Sequence, residues 1–209
     1  MPIRSASRSL CKLVTFQSPK FAVGGLLNRV GVLLEDGSGV IDIQSCAKTH
    51  GYGDMNRFKD MQSLIEGGDG IVSVIKRLCK TPPVTAIAPI SDVKIQAPIP
   101  RPQRNVFCLG KNYSDHIAEM KKSLPATSLP DGLNAPEAPI FFTKAPECVI
   151  STGDYIESHS KITKQLDYEA EMVVIIGKTG RDISIEKAMD YVFGYTIAHD
   201  VSSRDLQKR

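Results

Sequence analysis

Three acidic residues in the second half of the chain have the types and the spacing of ligands for a divalent metal ion. Glu169 and Glu171 are two residues apart, so in an extended strand their carboxylates share one face, about 7 Å from each other. Asp200 lies at the end of a second predicted strand and could bring a third carboxylate to the same place. Mg²⁺ and Mn²⁺ prefer oxygen ligands of this kind. The pattern predicts a site for Mg²⁺ or Mn²⁺ held by Glu169, Glu171 and Asp200.

The apolar run after Glu171 would make an unpaired carboxylate energetically unfavourable. Residues 172–176 are continuously apolar, which is typical of a strand buried on both faces. Carboxylates that enter such a core need a counter-charge, because an unpaired buried charge is strongly unfavourable. The alternative is an edge strand on which Asp167, Glu169 and Glu171 face water, and the spacing alone would favour it.

Further motifs, in a fixed order around these acids, bear on the choice between the two interpretations. With them, residues 101–209 resemble the N-terminal part of the catalytic domain of the fumarylacetoacetate hydrolase (FAH) family. The resemblance implies that Glu169, Glu171 and Asp200 bind a divalent metal. Its segments are NYxxHxxE at 112–119, PIFFTKxP at 139–146, GD at 153–154, LDYEAE at 166–171, IIGK at 175–178 and GYTxxxDVSxRDLQ at 194–207.

The resemblance also implies a fold. We expect an α+β, mostly β architecture, in which an FAH-like mixed β-sheet roll follows a small N-terminal α+β domain. The roll is expected to be incomplete, because family members continue well beyond the RDLQ motif. The proline-rich segment at 97–102 cannot continue a helix or a central strand, so we predict domains at 1–98 and 99–209.

His116 and Glu119 are the candidate catalytic residues. Residues three apart share a helix face, so the imidazole and the carboxylate could share a proton or a water. Taken alone, such a pair is more typical of an ordinary surface helix. The resemblance implies a mobile His/Glu dyad beside the metal, and the segment at 123–138 has the composition of a flexible loop that could form part of a lid.

The RDLQ motif supplies the candidate substrate-binding residues. Arg204 followed by Asp205 is most often a structural ion pair or a backbone clamp. The resemblance implies that Gln207 lies close enough to hydrogen-bond a substrate carbonyl or carboxylate, and we extend this expectation to Arg204.

Composition narrows the class of protein. The chain has 209 residues, of which 42% are hydrophobic, and this suffices for a sizeable core. Its net charge is only +3, so no nucleic-acid surface is expected, and no apolar run is long enough to cross a membrane. Five cysteines without CxxC spacing predict free thiols in a reducing compartment. We expect a cytoplasmic protein. Mitochondria are the alternative, because the first 34 residues contain no acidic residue, as is typical of a mitochondrial presequence.

Local patterns predict the elements around the motifs. A helix should begin after Ser184, bury Ile185, Ala188 and Val192, and end at Gly194. Strands are predicted at 9–16, 30–34, 105–109 and 139–144, and helices at 58–65 and 71–78.

Two functions from different classes fit these motifs. The first is a divalent-metal-dependent enzyme that acts on small 2-oxo or 1,3-dicarbonyl acids through a metal-stabilised enolate. The resemblance implies acylpyruvate hydrolysis, oxaloacetate decarboxylation, or isomerisation or hydration of dienoic diacids, and a homodimer when complete. The second is a truncated, catalytically inactive relative that binds only metal or a complete subunit.

Overall fold

A computed structural model describes residues 11–22, 24–113 and 136–207 of the chain. Its elements mix strands with short helices, and more residues lie in strands than in α-helices, which agrees with the predicted α+β, mostly β class. The strands are β1 Leu13–Gln17, β2 Arg29–Leu33, β3 Gly39–Asp42, β4 Ile87–Pro89, β5 Lys94–Ile95, β6 Val106–Gly110, β7 Ile140–Lys144, β8 Leu166–Asp167, β9 Ala170–Ile176, β10 Val192–His199 and β11 Ser202–Ser203. The α-helices are α1 Ile43–Thr49, α2 Met61–Glu66, α3 Asp69–Leu78, α4 Ile185–Ala188 and α5 Arg204–Gln207.

The chain forms two compact units. The first combines Met1–Pro100 with Ser151–Arg209, and the second is Arg101–Ile150. The division into domains at 1–98 and 99–209 stays a prediction from the sequence.

An antiparallel five-stranded sheet in the order β4-β3-β2-β1-β5 organises the N-terminal part of the first unit. Gly31 in β2 lies where a Cβ atom would come within 2.4 Å of Val40 Cγ1 and 2.8 Å of the Ile41 carbonyl oxygen. Only glycine fits there without moving the neighbouring strand.

The helices α1, α2 and α3 supply the core that covers this sheet. Phe58, Leu64, Ile71 and Ile75 are fully buried in one apolar cluster. The predicted helical spacing at 58–65 and 71–78 is therefore confirmed for α2 and α3, although residues 55–58 form a 3₁₀ turn before α2. The α-helix α2 begins only after Asp60, whose side chain accepts a hydrogen bond from the Ser63 amide.

The second unit contains the antiparallel pair β6 and β7, which confirms both predicted strands. Phe107 and Phe141 are 71% and 65% exposed. Cys108 in β6 is partly buried.

The strand β9 corrects one expectation. Residues 172–176 were predicted to be buried on both faces, but burial alternates along β9, and Met172, Val174 and Ile176 are exposed. The cause is that β9 pairs with β10 in a two-stranded sheet among the described residues, and only one face of this sheet meets other residues. On that face, Ile175 packs against the N-terminal core.

The segment before β10 corrects a second expectation, the helix predicted to run from Ser184 to Gly194. The helix α4 has Ser184 as its N-cap, as predicted, but ends at Ala188, and a 3₁₀ turn leads into β10. Ile185 is 89% exposed rather than buried. Gly194 does not end a helix: it lies in β10 at a shift of the pairing register, as glycines in strands often do.

Candidate functional site

The candidate site lies where four short segments of the first unit meet. Strand β11 pairs with β8 so that Ser202 faces Asp167. One step further along, the Asp200 amide donates to the Glu169 carbonyl oxygen at 2.7 Å, and Glu171 faces Ala198 in the β9–β10 ladder. The backbone therefore brings the positions of Glu169, Glu171 and Asp200 together, as the strand pattern predicted.

Arg204, the first residue of α5, holds two of the acids. Its Nη2 donates to Glu169 Oε1 at 2.6 Å, and its Nε donates to Asp167 Oδ2 at 2.9 Å. The Arg204 and Glu169 side chains are only 21% and 24% exposed, so water screens their attraction incompletely. The bond to Glu169 raises the pKa of Arg204; partial burial opposes this, and Asp167 adds to it. We call Asp167, Glu169 and Arg204 the carboxylate cluster.

Glu169 has a hydrogen bond on each of its carboxylate oxygens. Oε1 accepts from Arg204, and Oε2 accepts from the Ser202 hydroxyl at 3.0 Å. The oxygen ligands at Glu169, Glu171 and Asp200 are of the type that Mg²⁺ or Mn²⁺ prefers. Among the described residues, no group of three or more His, Cys, Asp or Glu side chains is arranged to hold a metal ion. In this arrangement Arg204 provides the positive charge beside Glu169.

Asp205 has a different role from its neighbour. Its carboxylate accepts from the Thr163 hydroxyl at 2.5 Å and from the Lys164 amide at 3.0 Å, and these bonds lower the pKa of Asp205. The Arg204 amide donates to the Gln165 carbonyl oxygen at 2.8 Å. The start of α5 therefore fastens the segment that leads into β8, which is the backbone clamp expected of Arg204 and Asp205.

Gln207 joins the cluster at its exposed edge. Its Oε1 accepts from Arg204 Nη1 at 3.0 Å, so its amide nitrogen is the group that can donate to a further acceptor. The His199 ring lies near that of Tyr168, with centroids 5.8 Å apart and the two planes tilted by 45°.

Two of the predicted site residues cannot be placed. His116 and Glu119 lie outside the described residues, as does most of the predicted loop at 123–138. Sequence reasoning missed Ser202 and the pairing of Asp167 with Arg204. Alternation along the LDYEAE segment places Asp167 on the same face as Glu169, which is the signal that could have indicated a shared partner.

Comparison with known proteins decides the family. The profile described as "Fumarylacetoacetate (FAA) hydrolase C-terminal" matches residues 105–209, which include every residue of the candidate site. The chain belongs to the fumarylacetoacetate hydrolase family. The resemblance read from the sequence motifs is thereby confirmed.

Several curated relatives are named oxaloacetate tautomerases. YisK of Bacillus subtilis (strain 168) is 40% identical over 205 residues, covering 91% of this chain and 62% of its own length. The human mitochondrial protein FAHD2A is 34% identical over 198 residues, covering 95% of this chain and 55% of its own. The chain thus spans little more than half the length of these FAH-family relatives.

Solved structures support the FAH-like fold. The fumarylacetoacetate hydrolase of Exiguobacterium antarcticum superposes with a TM-score of 0.63 at 33% identity, over 94% of this chain and 58% of that one. A protein from Mycobacterium smegmatis described as a putative HpcE superposes with a TM-score of 0.61 at 27% identity, over 93% and 57%. Within the described ranges, every helix is too short or too polar to cross a bilayer.

Proposed function

We propose that this protein takes part in enzymatic conversion of small 2-oxo or 1,3-dicarbonyl acids, with oxaloacetate as the first substrate to test. The names of its relatives support the choice, since YisK and FAHD2A are both called oxaloacetate tautomerases. The observation that carries the proposal is the carboxylate cluster with Gln207 at its edge, which brings two carboxylates, a guanidinium and a side-chain amide together in one partly exposed place. For the protein's compartment we propose the cytoplasm or the mitochondrion.

We propose Glu169, Glu171 and Asp200 as the ligands of Mg²⁺ or Mn²⁺. The donor chemistry fits such an ion, whereas the described arrangement requires that Glu169 first give up its bond to Arg204 or to Ser202. When bound, the ion would supply positive charge to the oxo and carboxylate oxygens of the substrate and to the developing enolate.

The chain's own residues would orient the substrate and move its proton. If Glu169 turns from Arg204 to the metal ion, the Arg204 guanidinium can donate to a substrate carboxylate, and the Gln207 amide can donate to a substrate carboxylate or carbonyl. Tautomerisation of oxaloacetate removes a proton from the methylene carbon and places one on the oxo oxygen. We propose His116 with Glu119 as the pair that carries this proton, or that activates a water when a carbon–carbon bond is cleaved.

An absorbance assay tests the proposal. The full chain, with Mg²⁺ or Mn²⁺ added, should speed the keto–enol conversion of oxaloacetate, and an acylpyruvate run in parallel distinguishes tautomerase from hydrolase activity. Glu169→Gln and Asp200→Asn should each lower the rate at least about a hundredfold, because they remove charge from the reacting centre. Glu157→Gln, at a side chain 81% exposed, serves as the control. Equal rates in all variants would refute the site.

One observation favours a second candidate, a protein that works only with another chain. Met172, Val174, Tyr195 and Ile197 are exposed apolar side chains of β9 and β10, and a patch of this kind is typical of an interaction surface. In this alternative the chain binds a second copy or a complete subunit and has no turnover alone. Conversion of oxaloacetate by a purified, monomeric chain would exclude it.

A further inference from the structure

Two partners of different charge hold the Glu169 carboxylate. Its Oε1 accepts from Arg204 Nη2 at 2.6 Å, and its Oε2 accepts from the Ser202 hydroxyl at 3.0 Å. The Glu169 and Arg204 side chains are 24% and 21% exposed, so charges interact more strongly here than on the open surface. A cation that binds Glu169 would therefore meet a hydroxyl on one oxygen and a guanidinium on the other.

Only one of these partners is compatible with a bound cation. The Ser202 hydroxyl is neutral, so it can keep its bond to Oε2 and orient the carboxylate while Oε1 binds the ion, as partners of metal ligands commonly do. The Arg204 guanidinium is permanently charged, so it repels a cation at the same oxygen. Arg204 is therefore the partner that has to leave Glu169 before a divalent ion binds.

Asp167 and Gln207 would keep Arg204 at the site after that bond breaks. Arg204 Nε donates to Asp167 Oδ2 at 2.9 Å, and its Nη1 donates to Gln207 Oε1 at 3.0 Å. Neither nitrogen is the Nη2 that holds Glu169, so the guanidinium is attached at two other points. Arg204 can thus exchange one partner without leaving its place.

We propose that Arg204 is a latch on the candidate metal site. In the metal-free chain its Nη2 occupies Glu169; when a divalent cation binds, Glu169 releases Nη2, which becomes a donor for a carboxylate of the substrate. The latch rests on the proposed function of Glu169 as a metal ligand. It implies that the cation binds before the diacid, because Nη2 is paired with Glu169 until then, and that breaking this pair lowers the apparent metal affinity.

Calorimetric titration of the full chain with Mn²⁺ tests the latch through two substitutions of opposite effect. Arg204→Gln should bind Mn²⁺ at least about tenfold more tightly than the native chain, because Glu169 no longer has to release a charged partner. Ser202→Ala should bind Mn²⁺ more weakly, because the carboxylate loses the bond that orients it. Lys164→Gln removes an exposed positive charge that is close in sequence to the site but makes no contact with Glu169, and should leave the affinity unchanged.

The titration separates a failure of the latch from a failure of the metal site. A native chain that binds Mn²⁺ as tightly as Arg204→Gln would overturn the latch and leave the metal ligands in place. Tighter binding by Ser202→Ala but not by Arg204→Gln would assign the obstruction to the hydroxyl and also overturn the latch. Absence of binding in every chain would refute the metal site and the latch with it.

Chemical modification of the native chain tests the release of Arg204 without a substitution at the site. Phenylglyoxal, which reacts with guanidinium groups, should modify Arg204 more than about threefold faster at saturating Mn²⁺, because the cation shifts the chain to the state in which Nη2 has left Glu169. Arg181, which is 94% exposed, should react at the same rate with and without Mn²⁺. Mass spectrometry of the digested chain measures both rates, and an Arg204 rate that is unchanged or lower with Mn²⁺ would overturn the proposal.

Discussion

The guanidinium of Arg204 neutralises carboxylates that reach it from two positions of the strand segment before β9. Asp167 and Glu169 lie on one side of that segment and would repel each other without a cation between them. Charge-assisted hydrogen bonds at partly buried positions are stronger than those between exposed groups. Arg204 is therefore the residue on which the geometry of the candidate site depends.

We expect Arg204→Ala to lower the free energy of unfolding by about 2 kcal/mol, because hydrogen bonds to charged groups contribute on this order. Urea unfolding followed by circular dichroism measures the change. Arg181→Ala is the matched control, since Arg181 and its partner Asp182 are 94% and 91% exposed and should contribute little. Equal effects of the two substitutions would show that Arg204 does not hold the cluster.

Asp205 should give the protein a pH-dependent stability in the acid range. Its bonds from Thr163 and Lys164 lower its pKa in the folded protein below the ordinary value of 3.8. Its stabilising contribution is thus complete above that ordinary value and is lost as the pH falls through the folded-state pKa. Thermal unfolding from pH 7 down to about 2 should show Asp205→Asn less stable than the native chain at neutral pH, with the difference vanishing at the acid end.

The control for this titration is Asp182→Asn, at a side chain that is 91% exposed. Its unfolding temperature should follow that of the native chain at every pH. A difference between native chain and Asp205→Asn that persists undiminished at the lowest pH would contradict the assignment.

Individual site residues were only partly predictable. Strand alternation places Glu169 and Glu171 on one face, and the family motifs predicted that Asp200 joins them; the backbone bond from Asp200 to Glu169 brings these positions together. The partner of Glu169 was not predictable, because Arg204 reaches it through a fold in the chain that no local pattern encodes.

At the scale of elements, the apolar cluster of the N-terminal part is the largest buried core among the described residues. The helices α2 and α3 bury one apolar stripe each, and β1, β2 and β3 pair by successive hairpin-like contacts. Asp42 completes this region: its fully buried carboxylate accepts two bonds of 2.7 Å from Arg29 and caps α1 through the Ser45 amide.

Leu64→Ala should lower the free energy of unfolding by about 3 kcal/mol, because it leaves a cavity at a fully buried position. Ile185→Ala removes a side chain with the same number of atoms that is 89% exposed, and it should change stability by less than about 0.5 kcal/mol. Chemical denaturation of both variants compares them directly. A small effect at Leu64 would mean that α2 does not pack as described.

Elements in which apolar residues recur at a clear helical or strand spacing could be predicted from the sequence. Elements whose ends or burial depend on packing against other parts of the chain could not. The helices α2 and α3 and the strands β6 and β7 followed from their apolar spacing. The prediction that β9 is buried on both faces is wrong, because a continuous apolar sequence does not show that only one face of its sheet is covered. The prediction of a helix that continues to Gly194 is wrong, because the helical spacing of apolar residues at 185–194 runs on into the strand β10.

At the scale of the whole molecule, the sequence motifs identified the family, and the family profile confirms it over residues 105–209. The exposed apolar side chains on β9 and β10 indicate that the described residues do not bury all the surface that the sequence offers. We propose that the complete assembly is a homodimer, as the family resemblance implies. We propose that Glu169, Glu171 and Asp200 bind a divalent metal ion for chemistry on oxo acids once Glu169 gives up its bond to Arg204 or to Ser202.

Calorimetric titration with Mn²⁺ tests that claim most directly. The native chain and the Glu157→Gln control should bind one equivalent of Mn²⁺, whereas Glu169→Gln and Asp200→Asn should each lose more than about tenfold in affinity, because each removes a charged ligand. A native chain that binds no Mn²⁺, or variants that bind it as tightly as the native chain, would contradict the account.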